Sequence, residues 1–309
     1  MPETQSAAAV LMIRPRHFTA NPETLASNRF QAALPSSDAG VAARAEFDAL
    51  AEALASAGVA VHVLEGCAER ALPDEIFPNN WVSFHADGTV VLYPMMAPSR
   101  RLERRRDAID ALTRLGYAVR DVVDLSPLER DGHYLEGTGS LVLDRERRVA
   151  YACLSPRTTR GGLEAFAKRF DYDVVELEAV DHGGHPIYHT NVMLSVGTRF
   201  AIVCSETVRD AGSRARLLER LADGGRDVIE ISLKQMHAFA ANLLELRGRR
   251  GAVIALSAAA AAALDDGQRR RLASQGELVP AQIGTIEAHG GGSVRCMLAE
   301  VHLPRRAQP

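Results

Sequence analysis

Five segments of the chain repeat one shape: a polar or glycine-containing corner, a short apolar strand, a tight turn and a second strand. They are FPNNWVSFHADGTVVLYP from Phe77, LEGTGSLVLDRERRVAYACLS from Leu135, HTNVMLSVGTRFAIVCSE from His189, AANLLELRGRRGAVIALS from Ala240 and GGGSVRCMLAEVHLP from Gly290, with corners 50 to 58 residues apart. A unit of that size cannot bury its apolar face alone and is stabilised by stacking on its neighbours. Between the corners, apolar residues recur at helical spacing over Arg101 to Leu115, Gly161 to Phe170 and Ser213 to Leu221. Ser257 is placed to cap a further alanine-rich helix, Ala258 to Leu264.

The N-terminal piece, with AVLMIRP as a strand and Val41 to Ala57 as an amphipathic helix, supplies a fifth unit of strand plus helix. No Pro/Gly/Ser-rich linker divides the chain. The expected architecture is therefore α/β, a single domain over residues 1–309 whose units close in a ring; an open sheet in two halves is the competing arrangement. A ring would carry corner residues from distant segments to one centre.

Charge and cysteine usage narrow the function. A formal net charge of −3 and a pI near 6.4 argue against a nucleic-acid surface, which needs a basic excess on one face. The run RRLERRR, Arg100 to Arg106, reads mostly as solvated helix surface. The apolar stretch AAAVLMI is too short to span a membrane and lacks a basic leader. Four widely spaced cysteines form no CxxC pair, which suits a reducing cytoplasm, and Cys67, Cys153 and Cys204 read as packing residues in or beside apolar strands. Blade edges and apolar helices would allow a homodimer, although no segment requires one.

If the corners converge, they collect Asp74, Asn79, Asn80, Glu136, His189, Asn191 and Cys296. That set holds a nucleophile, an acid/base and a carboxylate, enough to attack an electrophilic carbon and move protons to a leaving nitrogen. Cys296 follows a glycine run that lets backbone approach a ligand closely. Each residue also has a plainer reading: Glu136 as a turn cap, His189 as a satisfied polar group, Cys296 as an inert buried thiol. Metal binding by His182, His185 and His189 beside Asp181 is a further possibility, with spacing poor for one helix face and Gly183, Gly184 and Pro186 making the segment a loop. No GxxxxGK(S/T) loop and no GxGxxG after a strand is present, so no cofactor is expected.

Six motifs in order resemble the guanidino-group-modifying enzymes, the amidinotransferase-like or pentein superfamily. GGGSVRCM resembles the cysteine motif of arginine deiminases and glycine amidinotransferases, LEGTG the carboxylate motif, and HTN the H-x-(D/N) histidine motif. YACLSPRT resembles the strand ending in S-x-R-T, MAPSRR an arginine segment of dimethylargininases, and PDEIFPNN their acidic cluster. The resemblance implies a five-bladed α/β propeller with Cys296 as nucleophile, His189 as general acid/base and Glu136 as the carboxylate orienting it. It implies Arg157 as the grip on an α-carboxylate, helped by Arg100 or Arg101, and Asp74 as one acidic position of an amino-acid pocket.

Two departures carry information. Where arginine deiminases use aspartates to clamp a guanidinium, this chain has Asn80 and Asn191. Amides cannot neutralise a buried cation but can both donate to and accept from a neutral ureido group. Segments FPNNW and HTNVM also resemble the citrulline-utilisation hydrolases, which implies conversion of citrulline to ornithine, ammonia and carbon dioxide. That chemistry would draw on protonated His189 to favour the thiolate and on backbone N–H groups of Gly291 to Ser293 to hold an oxyanion. An arginine or dimethylarginine deiminase, an amidinotransferase, and a non-catalytic binding module on the same ring are the alternatives.

Overall fold

The computed structural model describes residues 3–32 and 38–306, so the outermost residues of the expected 1–309 domain lie outside it. Among the described residues, fifteen strands form five three-stranded sheets. The strands are β1 (Ala9–Arg14), β2 (Ala60–Glu65), β3 (Val82–Phe84), β4 (Thr89–Leu92), β5 (Asp121–Asp124), β6 (Leu141–Asp144), β7 (Val149–Cys153) and β8 (Asp173–Leu177). They continue with β9 (Leu194–Val196), β10 (Phe200–Val203), β11 (Asp227–Glu230), β12 (Leu244–Arg247), β13 (Ala252–Ser257), β14 (Glu277–Ala281) and β15 (Ala299–Glu300).

Four sheets are built from consecutive strands: β3-β4-β5, β6-β7-β8, β9-β10-β11 and β12-β13-β14. In each, a hairpin joins the first two strands antiparallel and a helical crossover returns the third strand parallel to the second. A parallel return needs a crossover of a dozen or more residues, usually through a helix. Helices Arg106–Arg114, Arg160–Phe170 and Ala211–Ala222 supply three of them, and Ala258–Ala263 with Asp266–Ala273 the fourth. Five such blades around a common centre make the pentein fold, an α/β propeller.

The fifth blade departs from the expected hairpin. After Cys296 the chain contributes only β15, which pairs antiparallel with β1, while β1 pairs parallel with β2 through helix Ala39–Ser56. The N-terminal unit and the Gly290 segment are thus one blade built from both ends of the ring. Its helix buries Phe47, Leu50 and Leu54 against the strands, each contributing about 1.5–3 kcal/mol.

Burial runs inward. The first two strands of β3-β4-β5, β6-β7-β8 and β9-β10-β11 are wholly buried, whereas β2, β5 and β8 are largely exposed to solvent. The short turns that precede β3, β6, β9, β12 and β15 accordingly lie at the centre.

Three expectations fail locally. The Arg101 to Leu115 helix is broken: Pro98–Arg101 forms one turn and Arg106–Arg114 a separate helix. The arginine run is not simply solvated, because Arg100 is buried and Arg104 pairs with Glu129. Cys67 lies in the turn after β2 and is half-buried, with its N–H on Glu75 and its thiol beside Glu69, so it does not pack in the core. Among the described residues no helix is long and apolar enough to cross a membrane.

Candidate active site

Cys296 sits in a short 3₁₀ turn, Val294–Met297, just ahead of β15. The helix Gly284–Gly290 ends at Gly291, whose φ of +62° is a left-handed conformation that glycine adopts without cost. A side chain there would also strike Asn28 and Gln31. The Gly291 N–H is already spent on the Glu287 carbonyl, 2.9 Å away. Of the three amides expected to face an oxyanion, those of Gly292 and Ser293 remain the candidates.

His189 enters the centre from the turn before β9, and Glu136 from the turn before β6. The His189 Nε2 lies 2.8 Å from Glu136 Oε2, and both side chains are buried. The other carboxylate oxygen accepts the Met96 N–H at 3.1 Å. Close approach of the Glu136 turn depends on Gly139, where a Cβ would stand 2.4 Å from Asn80 Nδ2 and 2.7 Å from His189 Nδ1.

Electrostatics set the protonation of this pair. Burial would raise the Glu136 carboxyl, but the charge of Arg157, the hydrogen bond and charge of His189, and Arg100 outweigh it and hold the group at about 2. Burial pushes His189 down to about 4, against the pull of Glu136 and helped by Arg157 and Arg100. At neutral pH the imidazole is uncharged and donates its Nε2 proton to a carboxylate. The expectation that a protonated His189 favours the thiolate is corrected by this: an uncharged ring is a proton acceptor. Amides stand beside the sulfur instead, with Asn191 Nδ2 3.5 Å and Asn242 Nδ2 3.4 Å from Sγ.

Of the expected binding residues, Asp74, Asn80, Arg100 and Arg157 line one cavity, Asn79 and Asn191 adjoin Asn80 and Cys296 without lining it, and Arg101 is redirected. Arg100 forms paired bonds to Glu103, lies 3.7 Å from both Asp74 and Glu136, and donates to Asn80 Oδ1 at 2.8 Å. Asn80 in turn donates to Asn79 Oδ1, so its oxygen is committed to Arg100 and one N–H to Asn79, while the residue still lines the cavity. Asp74 and Asn191 each keep one buried side-chain oxygen without a hydrogen-bond partner, as Asn79 and Gln31 keep their side-chain nitrogens. Arg101 points elsewhere, bonding the carbonyls of Met95 and Met96 beside Glu129. The three histidines of the alternative metal reading are parted: His189 is on Glu136, His185 on Asp181, and His182 against the His237 ring. Among the described residues no group of three such ligands is placed to hold a metal ion.

Arg157 has partners that sequence reasoning did not anticipate. Its guanidinium lies 3.6 Å from Glu136 and over the Tyr188 ring, yet two of its nitrogens donate to Ser27 Oγ and one to the Thr24 carbonyl. The segment Asn21 to Gln31 thereby covers the site, with Asn21 and Thr24 bonded to Asp74 and Asn28 to Gly291. The remaining cavity is about 10 Å³, against roughly 300–1,000 Å³ for a typical ligand pocket. A ligand of amino-acid size needs this segment to move. Asn21-Pro22 is legible as a helix start, but nothing in it says what the turn covers. Asn242 was missed although its corner was found, because the corner itself, Ala240 to Leu243, carries no acid, base or nucleophile.

The sequence matches the family model for N,N dimethylarginine dimethylhydrolase, eukaryotic, over residues 14–303. The chain belongs to this family. The family lies within the guanidino-group-modifying, pentein superfamily, in keeping with the five-bladed ring described above. No curated protein matches the sequence. Among solved structures, the N-terminal domain of ArgZ, an arginine dihydrolase from the ornithine-ammonia cycle in cyanobacteria, is similar at 18% identity and a TM-score of 0.72, over 96% of this chain and 99% of that one. AgrE in complex with L-arginine gives 18% and 0.75 over 97% of this chain and 41% of its own. A dimethylarginine dimethylaminohydrolase adduct with S-methyl-L-thiocitrulline gives 17% and 0.64 over 95% and 99%. The chain spans about two fifths of full-length ArgZ and AgrE. At these identities the likeness establishes the fold, and family membership makes the chain one of a family of C–N hydrolases.

Proposed function

We propose that the chain is a cysteine-dependent hydrolase of the ureido group of citrulline, yielding ornithine, ammonia and carbon dioxide. The observation that carries this reading is that every carboxylate at the site already has a cation beside it. Glu103 and Asp74 face Arg100, and Glu136 lies between Arg157 and Arg100. At the two positions where a second and third acid would meet a guanidinium, Asn80 and Asn191 carry no charge. A buried cation would be poorly compensated there, whereas a ureido group brings no charge and offers both N–H and C=O.

The chemistry follows from the protonation states. Uncharged His189 takes the Cys296 proton, and the imidazolium formed is held by Glu136. The sulfur adds to the ureido carbon, one C–N bond breaks, and His189 returns the proton to the departing nitrogen. A thiocarbamate remains on Cys296. His189 then takes a proton from water as the oxygen attacks, the C–S bond breaks, and the released carbamate decomposes to carbon dioxide and an amine. One water is consumed per turnover.

One observation favours a second reading. Asp74 Oδ1 is a buried carboxylate oxygen without a partner, and a guanidinium N–H would satisfy it as well as a ureido N–H. Arginine or a methylated arginine is therefore the competing substrate. The test is product analysis with citrulline and, separately, with arginine and dimethylarginine. Ornithine from citrulline, lost in Cys296→Ser, is expected. Citrulline from either guanidino compound, with no ornithine from citrulline, overturns the reading.

A further inference from the structure

We infer that Asn242 is a thiolate-supporting residue of the site, fixing Cys296 Sγ and donating an N–H bond to its ionised form. The inference rests on the reading of Cys296 as the nucleophile.

The orientation of this amide is settled by its neighbours. Asn242 Oδ1 accepts the Arg295 N–H at 3.1 Å, and Nδ2 donates to the Asn191 carbonyl at 2.9 Å. Turning the amide over would set donor against donor and acceptor against acceptor. One hydrogen of Nδ2 is therefore committed to Asn191, and the other faces Cys296 Sγ, 3.4 Å away; Oδ1, 3.7 Å from Sγ, can accept only the proton of the un-ionised thiol. A single side chain thus joins the residue preceding the nucleophile, the nucleophile itself and the turn that follows His189.

The turn carrying Asn242 is itself pinned. Phe239 adopts φ +59°, which is uncommon for a large side chain and persists where surroundings over-determine it. The Asn242 N–H bonds the Phe239 carbonyl at 2.8 Å, and Ser195 Oγ bonds the carbonyls of Ala241 and Leu243 at 2.7 and 2.9 Å. Asn242 is wholly buried. Strain and side-chain bonds converge on a turn with no other chemistry to place.

The charges around the sulfur make an amide donor useful. His189, Tyr188, Asp74, Arg100 and Arg157 line the same cavity. Both arginines are engaged with carboxylates, and Arg295, next in sequence, turns away to Glu300 at 2.8 Å. Tyr188 donates its hydroxyl to the Gly291 carbonyl at 2.6 Å. Fixed N–H groups from Asn242 and Asn191 are then the polar donors in contact with Sγ. Preorganised donors of this kind stabilise charge without reorganising.

The test is the rate of Cys296 alkylation by iodoacetamide across pH in wild type, Asn242→Asp and Asn242→Ala, with modification located by peptide mapping. Asp keeps the shape but sets acceptors against the sulfur and the Asn191 carbonyl. The expected result is a pH midpoint raised by about one unit in Asn242→Asp, hence a roughly tenfold slower reaction below the midpoint. Asn242→Ala should shift the same way by less. Should Asn242→Asp fail to fold, the alanine variant decides. Lower melting temperatures with unchanged midpoints would overturn the inference and leave Asn242 structural. If wild-type Cys296 reacts no faster than half-buried Cys67, the nucleophile reading fails instead.

Discussion

Glu136 and His189 reach each other from turns 53 residues apart and meet at 2.8 Å, both side chains buried beside a cavity of about 10 Å³. In the proposed reaction the pair divides the labour: Glu136 stays charged at any physiological pH, and His189 stays uncharged until the thiol gives it a proton. Two arginines enforce the division, stabilising the carboxylate and disfavouring the imidazolium.

Replacing Glu136 by Gln should therefore harm two properties. His189 loses the group that holds its charged form, and a fall in kcat of about 10²–10⁴ is expected. Arg157 and Arg100 lose a buried counter-charge, at a cost of about 3–5 kcal/mol. Steady-state kinetics and denaturant melts on the same preparation check both; a variant slow but equally stable would contradict the charge argument.

Acid should weaken the protein in a defined window. His189 is depressed from 6.5 to about 4, so between those values the unfolded chain binds a proton that the fold does not, and stability falls with falling pH. The contribution is about 3 kcal/mol by linkage. Glu136, depressed from 4.5 to about 2, gives a second loss as pH falls through that lower range. Stability measured from pH 7 to 4 should fall less steeply in His189→Gln, with His85 and His302, also depressed by burial, keeping part of the slope; an unchanged slope would contradict the assignment.

Gly139→Ala should act as a catalytic lesion at a position that carries no functional group. Its Cβ would stand 2.7 Å from His189 Nδ1 and 2.4 Å from the Asn80 amide. Overpacking of this kind costs about 1–3 kcal/mol, and displacement of the ring should lower kcat at least tenfold (about 1.4 kcal/mol). Gly284→Ala, which meets nothing within 4 Å, is the control and should stay within about 0.5 kcal/mol of wild type.

Ser27→Ala should loosen the covering segment, since Ser27 Oγ accepts from two Arg157 nitrogens. Faster hydrogen exchange over residues 21–31 is expected, with exchange in β7 and β10 unchanged. Equal exchange in both proteins would show that Arg157 does not hold the segment closed.

The ring was legible because its information is periodic. Corner, strand, turn and strand recur with helices between, and each unit is written locally in turn residues and apolar spacing. What escaped was long-range: β15 is two residues long and gains its identity from β1, nearly 290 residues earlier. At the site, Cys296, His189 and Glu136 could be named because their chemistry is distinctive. Arg101 could not be told from Arg100, since neighbours in one helical turn differ only in direction. Asn242 and Ser27 have ordinary side chains whose role comes from what they touch. Protonation was also illegible, because the value near 4 for His189 arises from burial beside residues of two other blades.

The blade shared by the two ends of the chain orders events in time as well as space. During synthesis, β1 emerges early and waits for β15, while the turns bearing Glu136 and His189 are complete well before Cys296 leaves the ribosome. Closure of this high-contact-order pairing is therefore the step that delivers the sulfur to its amides and its base. A partly made or partly opened chain lacks the arrangement on which the proposed reactivity of Cys296 rests.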